Sequence, residues 1–486
     1  MNLKELVKDL EILSVNGDLN KEISDIAYHS LRVGPGTLFV AIRGNVADGN
    51  KYINEALDKG ARAVVSEMDI ETPVPRIVVK DSRSALARLS SRFFGEPSSK
   101  MKLIGVTGTN GKTTITYLLE SIFKEAGLSP AVVGTVEHRF MGQRIKSANT
   151  TPESYDLQKL FREMASGGVN ACAMEVSSHA LALERVVGCQ FDGAIFTNLS
   201  PEHLDFHGEM ESYFESKVRL FRERLAESSK KNVFAAINAD DPYGQRLAED
   251  VDHNVMRYSI NGSGEVTAKE ILCNADGIRM TIKTPAGEFE CASRLIGGFN
   301  AHNILAAVAG GLGLGLPLDA IRQGIEKIRC VPGRLERVEN SRGIIALVDY
   351  AHTPDALEKV LTNMRDLSKT TGGRLIAVFG CGGDRDRAKR PVMGKVASEK
   401  ADVAIVTSDN PRSENPDAII KEILSGIKNK NFEVIGDRKA AIEHAAAIAR
   451  RGDVVIVAGK GHEDYQIIGN DRRHFDDREV LRECLL

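Results

Sequence analysis

A glycine-rich loop that follows an apolar strand and opens a helix is the feature that most constrains the fold of this chain. Residues 105–114 read GVTGTNGKTT and come directly after Lys102-Leu103-Ile104. In such a loop, glycines let backbone N–H groups close around a polyphosphate, a lysine adds a point charge, and a threonine hydroxyl reaches Mg²⁺. The segment therefore predicts a phosphate-binding loop at the carboxyl end of a strand, although Val106 occupies the place of the first glycine in the usual GxxxxGK[ST] spacing.

Composition narrows the class of protein. A chain of 486 residues is too long for one core and indicates several domains. The net charge of −3 disfavours nucleic-acid binding. Seven cysteines without CxxC pairs favour a reducing compartment and disfavour a zinc site. The first residues have no signal-peptide core, and no apolar run reaches the roughly 18 residues of a membrane span, so we expect a cytoplasmic protein.

Breaks in the sequence pattern predict three α/β domains. Buried strands at 37–42 and 61–66 flank a helix at 53–59, and a polar hinge follows at 95–99. Strands at 171–177, 193–200 and 233–240 alternate with helices, as in a mostly parallel sheet, and the turns within 266–296 predict an antiparallel appendage. After a second hinge at 331–333, four apolar strands alternate with helices at 354–366, 416–428 and 438–450. We place the domains at residues 1–98, 99–331 and 332–486.

Polar residues follow several of these strands. Glu175 follows one buried strand and His203 lies just past another, so both are expected at the sheet edge beside the phosphate loop. A carboxylate and an imidazole there are suited to Mg²⁺ or to orienting a phosphate, although either residue alone is also typical of a polar loop. Asn300 and Asn303 begin an alanine-rich helix, where asparagine often serves only as an N-cap.

The order of the motifs identifies a family. GTNGKTT, EVSSHAL, TNLSPEHLDFHG, YFESKVRLF, HNILAA, PGRLE, DYAHTPD, GGDRD, DNPR and GKGHEDYQ together resemble the Mur ligases, and among these the tripeptide synthetases of the MurE type. The resemblance extends over nearly the whole chain. It implies an N-terminal domain for a uridine nucleotide, a central ATPase domain with a mostly parallel sheet and a phosphate loop, and a C-terminal Rossmann-like domain for the amino acid.

The resemblance also implies a reaction. A carboxylate of UDP-MurNAc-L-Ala-D-Glu takes the γ-phosphoryl group of ATP, and the amine of an incoming amino acid then attacks the acyl phosphate, with Mg²⁺ assisting. A monomer that binds no nucleic acid and crosses no membrane is expected. The residues implied in ATP binding are Gly108, Thr109, Asn110, Gly111, Lys112, Thr113, Thr114, Asn303, Arg334 and Asp349.

Further roles are implied residue by residue. Lys112, Glu175, His203 and Lys217 are implied in catalysis; Thr113, Glu175, His203 and a carbamate on Lys217 are implied in metal binding. From the residues alone, Lys217 would be an ordinary solvated helix lysine. The dipeptide substrate is assigned Ser30, Asn149, Thr150, Thr151, Ser177 and Arg185, and the amino acid is assigned Arg385, Asp409, Asn410, Pro411, Arg412, Gly459 and Glu463.

Two departures and one specificity signal stand out. The family's Asp-Ser-Arg reads His29-Ser30-Leu31 here, and its Asp-Gly-His reads Asp48-Gly49-Asn50, which alters the expected uridine contacts. Arg412 ends the DNPR motif of the branch that adds meso-diaminopimelate, and an arginine suits the distal carboxylate of that amino acid. The sequence therefore predicts a ligase that adds meso-diaminopimelate. The alternatives to this function are a lysine-adding or other Mur-type ligase, a folylpolyglutamate synthase, a transport ATPase, or a binding module without catalysis.

Overall fold

Three mainly parallel sheets follow one another along the chain. The structure is a computed structural model that describes residues 1–44 and 47–486. The first sheet has the strand order β1-β5-β4-β3-β2, with only β1 antiparallel. Its elements are α1 (Leu3–Leu6), β1 (Ile12–Asn16), β2 (Asp25–Ala27), β3 (Thr37–Val40), α2 (Ile53–Asp58), β4 (Ala63–Ser66), β5 (Arg76–Val79) and α3 (Ser82–Phe93).

The central sheet has eleven strands in the order β16-β15-β14-β13-β12-β11-β6-β10-β7-β8-β9, parallel in the middle and antiparallel at both ends. The predicted antiparallel appendage therefore continues the edge of this sheet. Its strands are β6 (Lys102–Thr107), β7 (Pro130–Val133), β8 (Glu137–Phe140), β9 (Gln143–Lys146), β10 (Ala171–Glu175), β11 (Gly193–Phe196), β12 (Phe234–Asn238), β13 (Asn254–Ser259), β14 (Val266–Asn274), β15 (Gly277–Thr284) and β16 (Gly287–Ser293).

Helices cover both faces of the parallel part. They are α4 (Lys112–Glu125), α5 (Ser154–Ser166), α6 (Ser178–Ala182), α7 (Leu204–His207), α8 (Met210–Arg219), α9 (Pro242–Asp250), α10 (Phe299–Gly313) and α11 (Leu318–Lys327). Successive residues of a strand face opposite sides. Ile104 accordingly packs in the core with α4 and α10, whereas Leu103 packs in the core with α5 and α8. Burial on both faces explains why β6 reads as a continuous apolar run.

The third sheet has the order β17-β18-β22-β19-β20-β21, and a separate hairpin pairs β23 with β24. The elements are β17 (Glu336–Val338), β18 (Ile345–Asp349), α12 (Pro354–Thr371), β19 (Leu375–Phe379), α13 (Lys389–Lys400), β20 (Val403–Val406), α14 (Pro416–Leu424), β21 (Phe432–Val434), α15 (Arg438–Ile448), β22 (Val454–Ala458), β23 (Tyr465–Ile468), β24 (Asp471–His474) and α16 (Asp477–Leu485). The predicted α/β class is confirmed, and the domain boundaries stay predictions.

Some boundaries and one cap differ from the expectations. Helix α12 continues to Thr371, five residues beyond the predicted end, while α14 stops four residues early at Leu424. The N-cap of α10 is Gly298, so the reading of Asn300 and Asn303 as caps is wrong. Both asparagines lie inside the first turns, where the Asn303 amide donates to Asn300 Oδ1 at 2.7 Å. In the described part of the chain, every helix is too short or too polar to cross a membrane.

Hydrogen bonds join the three parts of the chain. Two residues of α5 contact the N-terminal part of the chain. Tyr155 donates to Asp25 at 2.7 Å, and Asp156 accepts from Tyr28 at 2.5 Å. On the other side, Asp355 in the first turn of α12 accepts through one oxygen, Oδ2, from three donors. They are Asn110 Nδ2 of the phosphate loop (3.1 Å), Ser200 Oγ (2.7 Å) and Lys359 Nζ (2.9 Å).

A buried ion pair between α15 and α16 generates a stability prediction. Arg438 and Asp477 are both fully buried, and Arg438 donates two hydrogen bonds to the carboxylate, at 2.8 and 2.7 Å. Because Asp477→Ala leaves a buried guanidinium unpaired, we expect it to lower the free energy of unfolding of this domain by about 3–5 kcal/mol. Urea unfolding followed by circular dichroism measures this, since the chain has no tryptophan.

Asp471→Ala is the matched control. Asp471 pairs with Arg473 at 2.7 Å, but the two side chains are 58% and 66% exposed. Exposed pairs contribute little, so the control should lose less than about 1 kcal/mol. Equal losses in the two variants would contradict the importance given to the buried pair.

Candidate active site

The phosphate loop is enclosed on both sides, which explains its glycines. Gly108 has φ +137° and Gly111 has φ +93°, backbone conformations that other residues rarely adopt. A Cβ atom at Gly108 would lie 1.9 Å from Thr197 Oγ1, and one at Gly111 would lie 2.4 Å from Asn303 Oδ1. The loop thus fits between the end of β11 and the first turns of α10, and the predicted strand-loop-helix arrangement is confirmed.

Two lysines meet at this loop. Lys112 Nζ donates to the carbonyl oxygens of Gly108 (2.8 Å) and Thr109 (2.7 Å), and Lys217 Nζ also donates to the Gly108 carbonyl oxygen at 2.9 Å. Lys217 is only 1% exposed, and its ammonium lies 4.4 Å from the ring centroid of Tyr213. The expectation of a solvated helix lysine, drawn from the residues alone, is therefore wrong.

Burial shapes the charges of this cluster. It lowers the pKa of Lys112, and it lowers the pKa of Lys217 well below the ordinary value with help from the nearby Lys112 ammonium. The neutral amine of Lys217 is thereby favoured. Burial also lowers the pKa of His203 to about 4, which leaves a neutral imidazole at neutral pH.

Glu202 is the main opposing charge, and the sequence reasoning missed it. Burial would raise the pKa of its carboxyl, but His203, Lys112, His352 and Lys217 outweigh burial and hold the pKa below the usual value. Its two oxygens lie 3.8 Å from His203 Nε2 and 4.0 Å from His352 Nε2. The available signal was its place directly before His203 in the same loop of the motif TNLSPEHLDFHG.

Glu175 lies at the carboxyl end of β10, as predicted, and is 1% exposed. Its oxygens accept from Thr135 N at 2.8 Å and Thr135 Oγ1 at 2.9 Å. Among the described residues, no three His, Cys, Asp or Glu side chains gather closely enough to share a metal ion. The oxygen donors still suit Mg²⁺, because the cavity combines this carboxylate with the hydroxyl of Thr113, and the imidazole of His203 lines the same cavity.

The C-terminal part of the chain completes the site. Arg334 Nη2 donates to Thr113 Oγ1 at 3.1 Å, and its guanidinium carbon lies 4.6 Å from the ring centroid of Tyr350. Asp349, at the end of β18, accepts from the backbone N–H groups of Leu335 and Ala351 at 2.8 Å each. Burial raises the pKa of Asp349, against the opposing charge of Arg334.

These groups line one cavity of about 800 Å³ between the second and third sheets. The implied residues that border it are Thr109, Asn110, Gly111, Lys112, Thr113, Thr114, Thr150, Glu175, Ser177, His203, Lys217, Asn303, Arg334 and Asp349. Sequence reasoning missed the pair of Asp240 and His302 on the same wall, joined at 2.9 Å. The position of Asp240 just after β12 could have revealed it.

The residues implied in dipeptide binding form a chain of contacts beside this cavity. Thr151 Oγ1 donates to the carbonyl oxygen of Glu175 (2.9 Å) and accepts from Ser177 N (3.1 Å). Arg185 donates to Thr151 O at 3.1 Å and pairs with Glu153 at 2.7 Å. Thr150 Oγ1 lies 3.0 Å from Thr135 Oγ1, and Asn149 is exposed on the loop before it.

Ser30 lies apart from this group, in the N-terminal part of the chain. It is buried, begins a short 3₁₀ helix, and its carbonyl oxygen accepts from Lys59 Nζ at 3.2 Å. At the altered loops, His29 Nδ1 accepts from Leu31 N (3.2 Å), and Asp48 Oδ1 accepts from the backbone N–H of Asn50 (3.0 Å). These contacts stabilise the loops from within.

The residues implied in amino-acid binding gather at the carboxyl edge of the third sheet. Asn410 donates to Glu463 at 2.9 Å, and Lys460 contacts Glu463 at 3.2 Å. A Cβ at Gly459 would lie 2.7 Å from Asp409 Oδ2, which accounts for that glycine. Burial opposes ionisation of Asp409, but Arg438 and Lys460 hold its pKa below the usual value. Pro411 is buried, Arg412 is half-buried and Arg385 is exposed.

The chain is similar to known proteins over nearly its whole length. Family models match residues 22–94 (Mur ligase family, catalytic domain), 106–311 (Mur ligase middle domain) and 333–461 (Mur ligase, glutamate ligase domain). A UDP-N-acetylmuramoyl-L-alanyl-D-glutamate--2,6-diaminopimelate ligase of Geobacter metallireducens is 49% identical, over 99% of this chain and 98% of its own length.

Solved structures are also similar. One diaminopimelate ligase of the same description has a TM-score of 0.73 and 31% identity, covering 100% of this chain and 98% of its own. The MurF ligase of Thermotoga maritima, solved in complex with ADP, has a TM-score of 0.64 at 21% identity over 90% of this chain and 94% of its own, a likeness in fold alone. On the full-length relationship to the Geobacter ligase and the three matching family models, this chain belongs to the Mur ligase family.

Proposed function

We propose that this chain is an ATP-dependent ligase that adds meso-2,6-diaminopimelate to UDP-MurNAc-L-Ala-D-Glu during peptidoglycan precursor synthesis. The observation that carries the proposal is the meeting of the phosphate loop with Arg334, from the following part of the chain, in one cavity. The full-length relative described as a diaminopimelate ligase supports the substrates. Since ATP and nucleotide-linked precursors are cytoplasmic metabolites, we propose a cytoplasmic location and, from the self-contained site, a monomer.

The first step brings together two anions, the D-glutamyl carboxylate and the triphosphate of ATP. A carboxylate oxygen of the D-glutamyl residue attacks the γ-phosphorus of ATP, the bond to the β-phosphate oxygen breaks, and ADP leaves. The cations Lys112 and Arg334 hold the phosphate chain and offset the charge that accumulates during transfer. The amine of diaminopimelate then attacks the acyl carbon, inorganic phosphate leaves, and the amine loses a proton as the amide forms.

Magnesium would be held by Glu175, His203, Thr113 and a carbamate on Lys217, and would supply positive charge to the phosphate oxygens. The carbamate forms when the neutral amine of Lys217 adds to CO₂, creating an N–C bond and releasing one proton. Its buried position beside the Gly108 carbonyl oxygen supports this proposal, because a carbamate there adds an anionic oxygen donor among cations. Glu202 offsets the remaining positive charge.

Arg412 favours meso-diaminopimelate over lysine as the amino acid. The two substrates differ at the distal end, where diaminopimelate carries an additional carboxylate. A guanidinium pairs with a carboxylate through two charge-assisted hydrogen bonds, whereas lysine would leave it unpaired. Arg412 follows Asn410 by two residues, and Asn410 donates to Glu463 at 2.9 Å, so this rim offers both charges to a zwitterionic group.

The first test concerns the phosphate loop. Lys112→Ala removes the ammonium that neutralises the transferred phosphoryl group, so we expect tripeptide formation from ATP to fall at least about a hundredfold. Lys124→Ala, an exposed position on the same helix, should keep wild-type activity. Mass spectrometry of the product measures both, and near wild-type turnover of Lys112→Ala would exclude this loop as the ATP site.

The second test concerns the carbamate. Lys217→Ala should be inactive but partly rescued by a short carboxylate such as acetate, which can occupy the vacated space as an oxygen donor. Methylammonium is the matched additive, because it restores the amine instead of the carboxylate. Full activity of Lys217→Ala without an additive, or rescue by methylammonium alone, would refute the carbamate.

The third test concerns substrate choice. The wild type should strongly prefer meso-diaminopimelate, and Arg412→Ala should lose about 2–5 kcal/mol of that preference through a higher KM for the amino acid. The KM for ATP should stay unchanged. Arg473→Ala, at an exposed position in the adjacent hairpin, is the control. The measurement is kcat/KM for both amino acids in all three proteins, and comparable wild-type efficiency with lysine would show that Arg412 does not select diaminopimelate.

A further inference from the structure

Two loops of the third sheet adopt backbone conformations that are uncommon outside glycine. Asp384, directly before Arg385, has φ +52°, and Arg412 itself has φ +51°. Left-handed conformations of such residues persist only where the surroundings hold them, and they cluster at functional sites. The two arginines proposed to meet the amino acid therefore depend on contacts that fix their loops.

Direct contacts fasten the two loops to each other. Arg412 Nη1 donates to Gly383 O at 2.6 Å, and Gly383 N donates to Asn410 O at 2.9 Å. The carboxylate of Asp384 accepts from the backbone N–H of Ser413 at 3.2 Å and from its hydroxyl at 2.6 Å. The loops thus form one unit, in which a shift of either loop moves both arginines.

Glu414 connects this unit to the interior of the domain. Its Oε1 accepts from Asp384 N at 2.6 Å, and its two oxygens accept from Arg390 Nη2 (2.7 Å) and Nη1 (2.9 Å). Arg390 is fully buried on α13 and also donates to Gly382 O at 3.2 Å. A bidentate pair of this kind has a defined geometry as well as a charge. The hydrogen bonds from Arg390 lower the pKa of Glu414 to about 2, so the carboxylate is ionised at neutral pH.

Glu422 offers a contrast on the same guanidinium. It accepts from Arg390 Nη1 at 2.8 Å and pairs with Arg387, and its side chain is 27% exposed, compared with 22% for Glu414. Unlike Glu414, it belongs to helix α14 and makes no hydrogen bond to residues 382–385 or 409–414 within the described chain. The two glutamates share a partner but differ in their connection to the loops.

We infer that Glu414, held by the buried Arg390, is a positioning residue for the amino-acid substrate. It acts through the loops that carry Arg385 and Arg412. This inference rests on the proposed function for the identity of the substrate, and goes beyond it by assigning two residues that do not belong to the implied binding set. Glutamine in place of Glu414 keeps the shape but removes the charge and one acceptor, so both Arg390 and the N–H of Asp384 are held less firmly.

The experiment compares Glu414→Gln with Glu422→Gln. We expect Glu414→Gln to raise the KM for meso-diaminopimelate about tenfold, the effect of losing one charge-assisted hydrogen bond, with the KM for ATP unchanged. Glu422→Gln should leave both KM values unchanged. Both variants should lower the thermal midpoint, because each removes one charged acceptor from Arg390. A merely structural role would change stability without separating the two KM values.

Ser413→Ala keeps the inference testable if Glu414→Gln fails to fold. It removes only the exposed hydroxyl that donates to Asp384, and should raise the same KM about threefold by loss of one hydrogen bond. Ser425→Ala, which removes an exposed hydroxyl that donates to Glu422 O, should change nothing. Equal KM values for diaminopimelate in the wild type and the loop variants would overturn the inference. A wild type that accepts a different amino acid would overturn the proposed substrate, and the same variants compared on that amino acid would still decide the inference.

Discussion

Two lysine side chains share one backbone carbonyl oxygen at the centre of this structure. Lys112 and Lys217 lie 2.8 and 2.9 Å from the oxygen of Gly108, in a region that is largely closed to water. Two positive charges this close would repel each other strongly in poorly polarisable surroundings, and burial and the Lys112 charge together lower the pKa of Lys217. The arrangement is therefore that of a site suited to an anion, and the remaining features of the central domain keep it in place.

The position of the loop depends on the order of the strands. Strand β6 lies between β11 and β10, so the loop after it faces Thr197 on one side and Glu175 on the other. Glycine is required where Thr197 approaches, and the carboxylate of Glu175 is fixed by the backbone and hydroxyl of Thr135. The charges that oppose the lysines thus come from neighbouring strands of the same sheet edge.

Much of this arrangement could be predicted from the sequence, because it follows local rules. Apolar runs, glycines and the rule that ligands bind at carboxyl edges located the phosphate loop, Glu175 and His203. The burial of Lys217 could not be predicted, since the residues of α8 alone do not tell which neighbour covers that face. Arg390 was missed for the same reason, because its partners Glu414 and Glu422 are distant along the chain. Glu202 was missed although it directly precedes His203. The cap of α10 was misjudged because neither asparagine caps the helix: the Asn303 amide donates to Asn300 inside it, and the Asn300 amide donates to Ile296 O, before the helix begins.

The shared oxygen of Asp355 has a thermodynamic consequence. Asn110 of the phosphate loop, Ser200 and Lys359 all donate to it, so any rotation of α12 away from the central sheet breaks hydrogen bonds at the phosphate loop. A ligand that binds more tightly when these bonds are made stabilises the arrangement that contains them, by its difference in affinity between the arrangements with and without them. Coupling of this kind is reciprocal. If a ligand in the phosphate loop and a ligand at the carboxyl edge of the third sheet both favour this arrangement, each increases the affinity for the other by the same factor. The affinities of the two sites thereby become linked through a single carboxylate oxygen.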